Sequence, residues 1–353
     1  MVVSPARMPS GGVAAPNSNG QRTAPPFDMS TRLSVVKLAQ IARPVGGGLS
    51  AAVQLPSNGL LGGILLAIRG TIGGTVGAVT PLGNAGIVRR VSLTLNSGTV
   101  VFSMSGAGYH ILYSPVIDSG YVGVISSTST ARAAVTAAAV VADMFIPLQV
   151  NERDPIGLLL LQNRQTILSL TVEWEADTTV TATGTFSNFY AQPYLLSYSV
   201  PPDPLSLPPL RYLHQVLEDN KAVAGAGTIT NDIPRGNTYE RIIHGCGIGL
   251  VGTASDLWTT AQLRVNQSNY IFDTDVQSQD MLWGLYHGSA RARPLGWIGF
   301  DFLSSSGLGS YGTTRDLYDS DMTTDFQSVI ANSGAVTNGF YTVREQLVDL
   351  RAM

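Results

Sequence analysis

Between Asn58 and Ile72 the chain reads NGLLGGILLAIRGTI, its most apolar run, and the conformation of this run constrains everything else. A helix that crosses a bilayer needs about 20 mostly apolar residues, whereas here only Leu60 to Ile68 run without a charge before Arg69. Gly59, Gly62, Gly63, Gly70, Gly73 and Gly74 crowd the same window, and each glycine in a helix interior costs about 1 kcal/mol. Arg69 near the middle of a span would be expensive as well. The run is therefore expected to be a buried β-strand closed by a glycine turn.

The next segment, GIVRRVSLTLNSGTVVF, has the same character. Val91, Leu93 and Leu95 alternate with Ser92, Thr94 and Asn96 up to an Asn-Ser-Gly turn, which is strand periodicity with one wet face. Similar short runs recur as YHILYSPVI, ADMFIPLQV, TILSLTVEWEA, FSNFYAQPYLLSYSV, YERIIHGCGIGLVG, TAQLRVNQSNYIF, GWIGFDFL and NGFYTVREQLVDL. Short strands between Gly, Pro and Asn turns predict an all-β sandwich or jelly roll. The alanine run AAVTAAAVVA, residues 133–142, fits either a strand or a short helix.

Five of the 19 prolines fall in VPPDPLSLPPL, Val200 to Leu210. Such a cluster suits neither a helix interior nor a central strand, so it marks a boundary. The expected organisation is a flexible arm with an amphipathic helix over 1–44, a first jelly roll over 45–200, a linker over 201–211 and a second jelly roll over 212–353. The arm's helix is read from FDMSTRLSVVKLAQIARPV, with Asp28 or Ser30 as cap, Pro44 as stop, and Met29, Leu33, Val36 and Ala39 or Gln40 as an incomplete apolar stripe. A second short helix is expected after the linker, where Leu210, Leu213 and Leu217 share a helical face.

The halves resemble each other faintly. AIRGT (67–71), RVSLTLNSG (90–98) and GYH (108–110) are followed in the same order by LVGT (250–253), RVNQS (264–268) and LYH (285–287). A duplicated β-domain accounts for this order.

Charged residues make up only 13% of the chain, about half the usual share for a soluble domain, so much of its surface is expected to be hidden against something or to lie within an assembly. Residues 1–150 hold nine basic and three acidic groups, and the remainder 12 basic and 21 acidic. The basic amino-terminal portion, with Arg7, Arg22, Arg32, Lys37 and Arg43, either faces something anionic or reflects a chance imbalance between two solvated surfaces. A single cysteine, Cys246, excludes an intramolecular disulfide framework and argues against a cysteine-based zinc site. The first 26 residues have no apolar core of the signal-peptide kind.

Catalytic and metal-binding patterns are weak, and none is assigned, nor is any cofactor. His110, His214, His244 and His287 have no metal-ligand spacing and read as structural. Two GxGxxG matches, at 247–252 and 307–312, are not followed by helical patterns and read as turns. Glu173 and Glu175 share a strand face as glycosidase carboxylates do, but read as solvated residues. Asp316, Asp319, Asp321 and Asp325 lack the Gly and Glu of an EF-hand. Asn266 opens a sequon that matters only on a secretory route.

In this order of elements the chain resembles a major capsid protein of the double jelly-roll lineage, the tectivirus and adenovirus-hexon type. The matching stretches are the expected amino-terminal helix, GLLGGILLAIRGTI (59–72), GNAGIVRRVSL (83–93), SGAGYHILYS (105–114), residues 142–176 from ADMFIPLQV to VEWEA, the proline-rich join, and NGFYTVREQLVDL near the carboxyl end. The resemblance implies two tandem eight-stranded jelly rolls and a homotrimer acting as a pseudo-hexameric capsomer. It also implies an icosahedral shell over an internal lipid membrane of a tailless bacteriophage, assembled from chains made in the host cytoplasm. Partners would be neighbouring capsomers, minor capsid or penton proteins, and lipid or genome through the arm. Removal of residues 1–43 is then expected to leave the trimer folded while impairing shell assembly. Two other readings stand beside it. A receptor- or carbohydrate-binding spike would need exposed aromatic platforms, for which Trp258, Trp283 and Trp297 are available, and a jelly-roll enzyme would need a catalytic set.

Overall fold

The computed structural model describes residues 27–73, 86–96, 98–113, 138–150, 155–162, 166–180, 185–246, 256–287, 293–305 and 317–350. The first half contributes β1 (Leu33–Lys37), β2 (Ile41–Ala42), β3 (Gly48–Leu49), β4 (Val53–Gln54), β5 (Leu60–Gly73), β6 (Val88–Leu95), β7 (Thr99–Met104), β8 (Ala138–Pro147), β9 (Leu159–Leu160), β10 (Leu168–Trp174) and β11 (Thr185–Tyr198). The second contributes β12 (Tyr212–Val223), β13 (Gly227–Asp232), β14 (Thr238–Cys246), β15 (Trp258–Val265), β16 (Asn269–Asp275), β17 (Trp297–Asp301), β18 (Tyr318–Asp319), β19 (Phe326–Asn332) and β20 (Val336–Asp349). Among the described residues five α-helices accompany them: α1 (Phe27–Ser30), α2 (Gly106–Tyr113), α3 (Asp177–Val180), α4 (Val276–His287) and α5 (Phe302–Ser305).

Strand order shows the duplication directly. One sheet of the first half runs β1-β11-β5-β8, and the facing strands run β4-β10-β6-β7. In the second half the corresponding orders are β12-β20-β14-β17 and β13-β19-β15-β16. Each roll is thus the same eight-stranded pattern, β1 matching β12, β5 matching β14, and so on to β11 matching β20. The helices correspond too, since α2 follows β7 and α4 follows β16. The fold is a double jelly roll.

The faint internal repeat has a structural counterpart. RVSLTLNSG lies on the β6–β7 hairpin and RVNQS on the β15–β16 hairpin, and both turns place an asparagine in the left-handed region, Asn96 at φ 51° and Asn266 at φ 52°. Asparagine tolerates that region better than most residues. GYH lies in α2 and LYH at the end of α4. The third match, LVGT, lies outside the described residues.

Strand β5 carries the run that opened the analysis, fully paired between β11 and β8. Its nearly unbroken burial explains why it lacks alternation. Gly70 is required there, because a Cβ would come within 2.3 Å of the Phe189 ring. One core lies mainly in the first roll, around Ile64, Leu66, Phe102, Met144, Leu170 and Trp174. The other lies in the second roll, around Tyr239, Ile242, Trp258, Phe300, Phe326 and Phe340.

Three local expectations are corrected. The amphipathic helix over 28–43 is a single turn, α1, followed by strands β1 and β2 paired with β11. Val35 and Val36 favour the extended chain, and β11 offers a free edge. The helix expected after the linker is strand β12, buried at the centre of a sheet, where the spacing of Leu213 and Leu217 has no helical meaning. The run YHILYS is not a strand: residues through Tyr113 belong to α2, capped by Ser105, whose Oγ accepts the Gly108 N–H at 3.0 Å. The ambiguous alanine run is a strand from Ala138 onward.

Candidate functional site

The rolls meet along a parallel strand pair. Val216 and Leu217 of β12 lie opposite Phe102 and Ser103 of β7, which joins the β12-containing sheet of the second roll to the β7-containing sheet of the first in one sheet of ten strands. Both partners would otherwise be sheet edges open to foreign strands. Helix α2 rises from β7 beside this seam. Glu218 of β12 accepts the Ser105 backbone N–H at 2.6 Å and its hydroxyl at 2.8 Å, so the amino end of a first-roll helix is capped partly by the second roll. Trp297 donates from Nε1 to the Ile111 carbonyl at 3.1 Å, a second tie between the rolls.

A cavity of about 400 Å³ opens on the seam, lined among others by Arg89, Arg90, Glu173, Glu175, Glu218 and Tyr341. The two carboxylates singled out in the sequence therefore do share a space. Glu173 is held by Arg89 at 3.0 Å, however, and Glu175 accepts its neighbouring Ala176 N–H at 3.3 Å. Burial raises the Glu218 pKa, against the opposing pull of the Ser105 hydrogen bonds and the Arg90 charge.

The five basic residues of the arm separate in the structure. Arg7 and Arg22 lie outside the described residues. Arg32 and Lys37 are exposed at either end of β1. Arg43 is tucked in: its guanidinium pairs with Asp177, donates to the Glu175 carbonyl at 2.7 Å and lies 4.9 Å from the centre of the Phe186 ring. Among the described residues, strand β1 pairs only with β11 and so lies at the sheet edge. It bares Leu33, Val35 and Val36 at 52%, 60% and 41% exposure. An apolar edge of this kind invites a covering partner.

The histidines divide as well. His244 sits in an aromatic nest, stacked on Phe340 at 5.2 Å and edge-on to Phe300 at 5.8 Å, with Nδ1 3.0 Å from Thr342 Oγ1. Burial, then the Lys221 and Arg344 charges, lower its pKa to about 3. His214, on β12, is brought against Glu240 of β14 and Glu345 of β20. Linear spacing carried no trace of this cluster, because its members come from three strands that only the sheet unites. His110 lies within α2 and His287 closes α4.

Both GxGxxG segments and Asp316 fall outside the described residues. Asp319 accepts the Asp321 N–H at 3.1 Å, a local turn. Asn266 accepts from the Thr324 N–H at 2.7 Å and shapes a hairpin. Trp258, Trp283 and Trp297 are 1%, 3% and 5% exposed, so the platforms that a sugar-binding spike would need at these positions are core residues instead.

No protein-family model matches the chain, and no curated protein matches it in sequence. Solved structures match over nearly its whole length. The crystal structure of the STIV MCP gives a TM-score of 0.69 at 14% identity, covering 90% of this chain and 97% of that one. The quasi-atomic model of the PBCV-1 virus capsid gives 0.61 at 10% identity, covering 91% and 95%. The major capsid protein from bacteriophage PM2 gives 0.52 at 13% identity, covering 90% and 97%. The chain has the double jelly-roll fold of these capsid proteins, and at such identities the likeness is one of fold.

Proposed function

We propose that the chain is a viral major capsid protein whose copies assemble into capsomers and a closed shell. The observation that carries this reading is the pair of topologically identical rolls fused through one ten-stranded sheet. It matches capsid proteins end to end rather than over a single domain. Three such chains around an axis present six near-equivalent rolls, which lets a trimer fill a six-fold position. The exposed apolar strand β1 and the low charge content fit a protein covered by its own copies. In this reading the shell is icosahedral and encloses the internal membrane of a tailless bacteriophage. Arg32 and Lys37, with Arg7 and Arg22 ahead of them, supply positive charge toward lipid or packaged genome.

The test is the mass of the purified protein by light scattering, expected near three times the 37.2 kDa of one chain. A stable monomer at micromolar concentration would count against the proposal. Electron microscopy of assembled particles then reports whether the shell is icosahedral and lined by a bilayer.

A further inference from the structure

The chain holds a buried cluster that assembly does not explain. His214, Glu240 and Glu345 are 1%, 0% and 5% exposed, and one ligand atom from each lies within 4.8 Å of the others. They are the one such grouping among the described residues. The His214 Nδ1 lies 3.2 Å from the Pro147 carbonyl. A carbonyl can only accept, so Nδ1 carries hydrogen and Nε2 is the atom turned toward the carboxylates. This is how a histidine is oriented for a metal, with its far nitrogen tied to a backbone oxygen.

Nε2 lies 3.4 Å from Glu240 Oε1 and 3.3 Å from Glu345 Oε1. Those separations are long for charge-assisted hydrogen bonds, about 2.7–2.9 Å, and neither Nε2 nor either oxygen of Glu240 makes a well-directed hydrogen bond. Buried polar atoms in that state are rare and costly. The separations do fit the edge of a tetrahedron around zinc: ligand bonds of about 2.0–2.1 Å place neighbouring ligand atoms about 3.3–3.4 Å apart. Arg241 lies 3.3 Å from both Glu345 Oε2 and Asp301 Oδ2. Against the pull of burial, Glu240 and Glu345 raise the His214 pKa to about 10, so an entering cation displaces a proton from His214.

We infer that His214, Glu240 and Glu345 form a structural site for a divalent, imidazole-preferring cation of the zinc type, which fastens the first strand of the second roll to β14 and β20. Imidazole nitrogen and carboxylate oxygen are both ligand types that zinc accepts. Glu240, neither of whose oxygens makes a well-directed hydrogen bond, can chelate through the pair. Arg241 would hold the far oxygen of Glu345 and so orient the near one. The competing occupant is a proton, which would make His214 an imidazolium between two carboxylates.

The experiment uses the full chain, stripped with chelator and reloaded with zinc. The site predicts one zinc ion retained per chain and a melting temperature at least about 3 °C higher with zinc than without. Cobalt loading should give the visible absorption of a tetrahedral ion, lost in Glu240→Gln and in His214→Gln. Less than about a tenth of an equivalent of zinc, with an unchanged melting temperature, would overturn the site in favour of the proton. A cobalt band that survives both substitutions would overturn it by placing the ion elsewhere. Should the variants fail to fold, X-ray absorption of the zinc-loaded native chain decides, since a spectrum without the outer-shell scattering of an imidazole ring excludes His214.

Discussion

Val216 of β12 stands opposite Phe102 of β7 in parallel register, and both side chains are fully buried. This contact joins five strands of each roll into a single ten-stranded sheet, so neither roll can lose its share of that sheet without exposing the edge of the other. The two rolls are expected to melt in one calorimetric transition. Val216→Asp places an unpaired charge at the seam and should cost more than about 3 kcal/mol in urea unfolding. Two separate transitions in the native chain would contradict the shared-sheet account.

Gly70 and Phe189 form the tightest backbone-to-ring contact of the outer sheet, since a Cβ at Gly70 would reach 2.3 Å from the ring. Gly70→Ala should therefore destabilise by about 1–3 kcal/mol. Pairing it with Phe189→Leu should recover part of that loss relative to the sum of the single changes. Strict additivity in a double-mutant cycle would show that the clash relaxes elsewhere.

His244 should make stability fall on acidification. Its folded pKa is lowered to about 3 by burial and by the Lys221 and Arg344 charges, whereas the unfolded value is near 6.5. The unfolded chain takes up the proton first, so the contribution is complete above about pH 6.5 and is lost as pH drops toward 3. Between pH 7 and pH 5 the native chain should lose about 2 kcal/mol more than His244→Phe. Parallel stability curves for the two proteins would remove His244 from the account.

Removing residues 1–43 should destabilise the fold rather than merely disarm it. The segment includes β1 and β2, which pair with Tyr194 to Tyr198 and with Tyr190 and Ala191 of β11. It also includes Arg43, whose guanidinium is tied to Asp177. A truncated chain with undiminished melting temperature would show that the edge strand is dispensable.

Some of this architecture was plain in the amino-acid order. The alternation of Val91, Leu93 and Leu95, the Asn turns, the glycine-ridden run of β5 and the proline cluster are local features, and local features decide strand, turn and break. Even the duplication left an ordered trace in RVSLTLNSG and RVNQS. Where a segment is buried on both faces, local pattern stops discriminating. Strand β12 reads as a leucine-striped helix because Leu213 to Val216 are buried one after another, which removes the alternation from its first half. The amino-terminal segment reads as a basic helix because its pairing partner, β11, lies far along the chain. Tertiary structure alone brought His214 to Glu240 and Glu345, and Val216 to Phe102, since strand neighbours in a jelly roll are distant in sequence and no periodicity records which of them will meet.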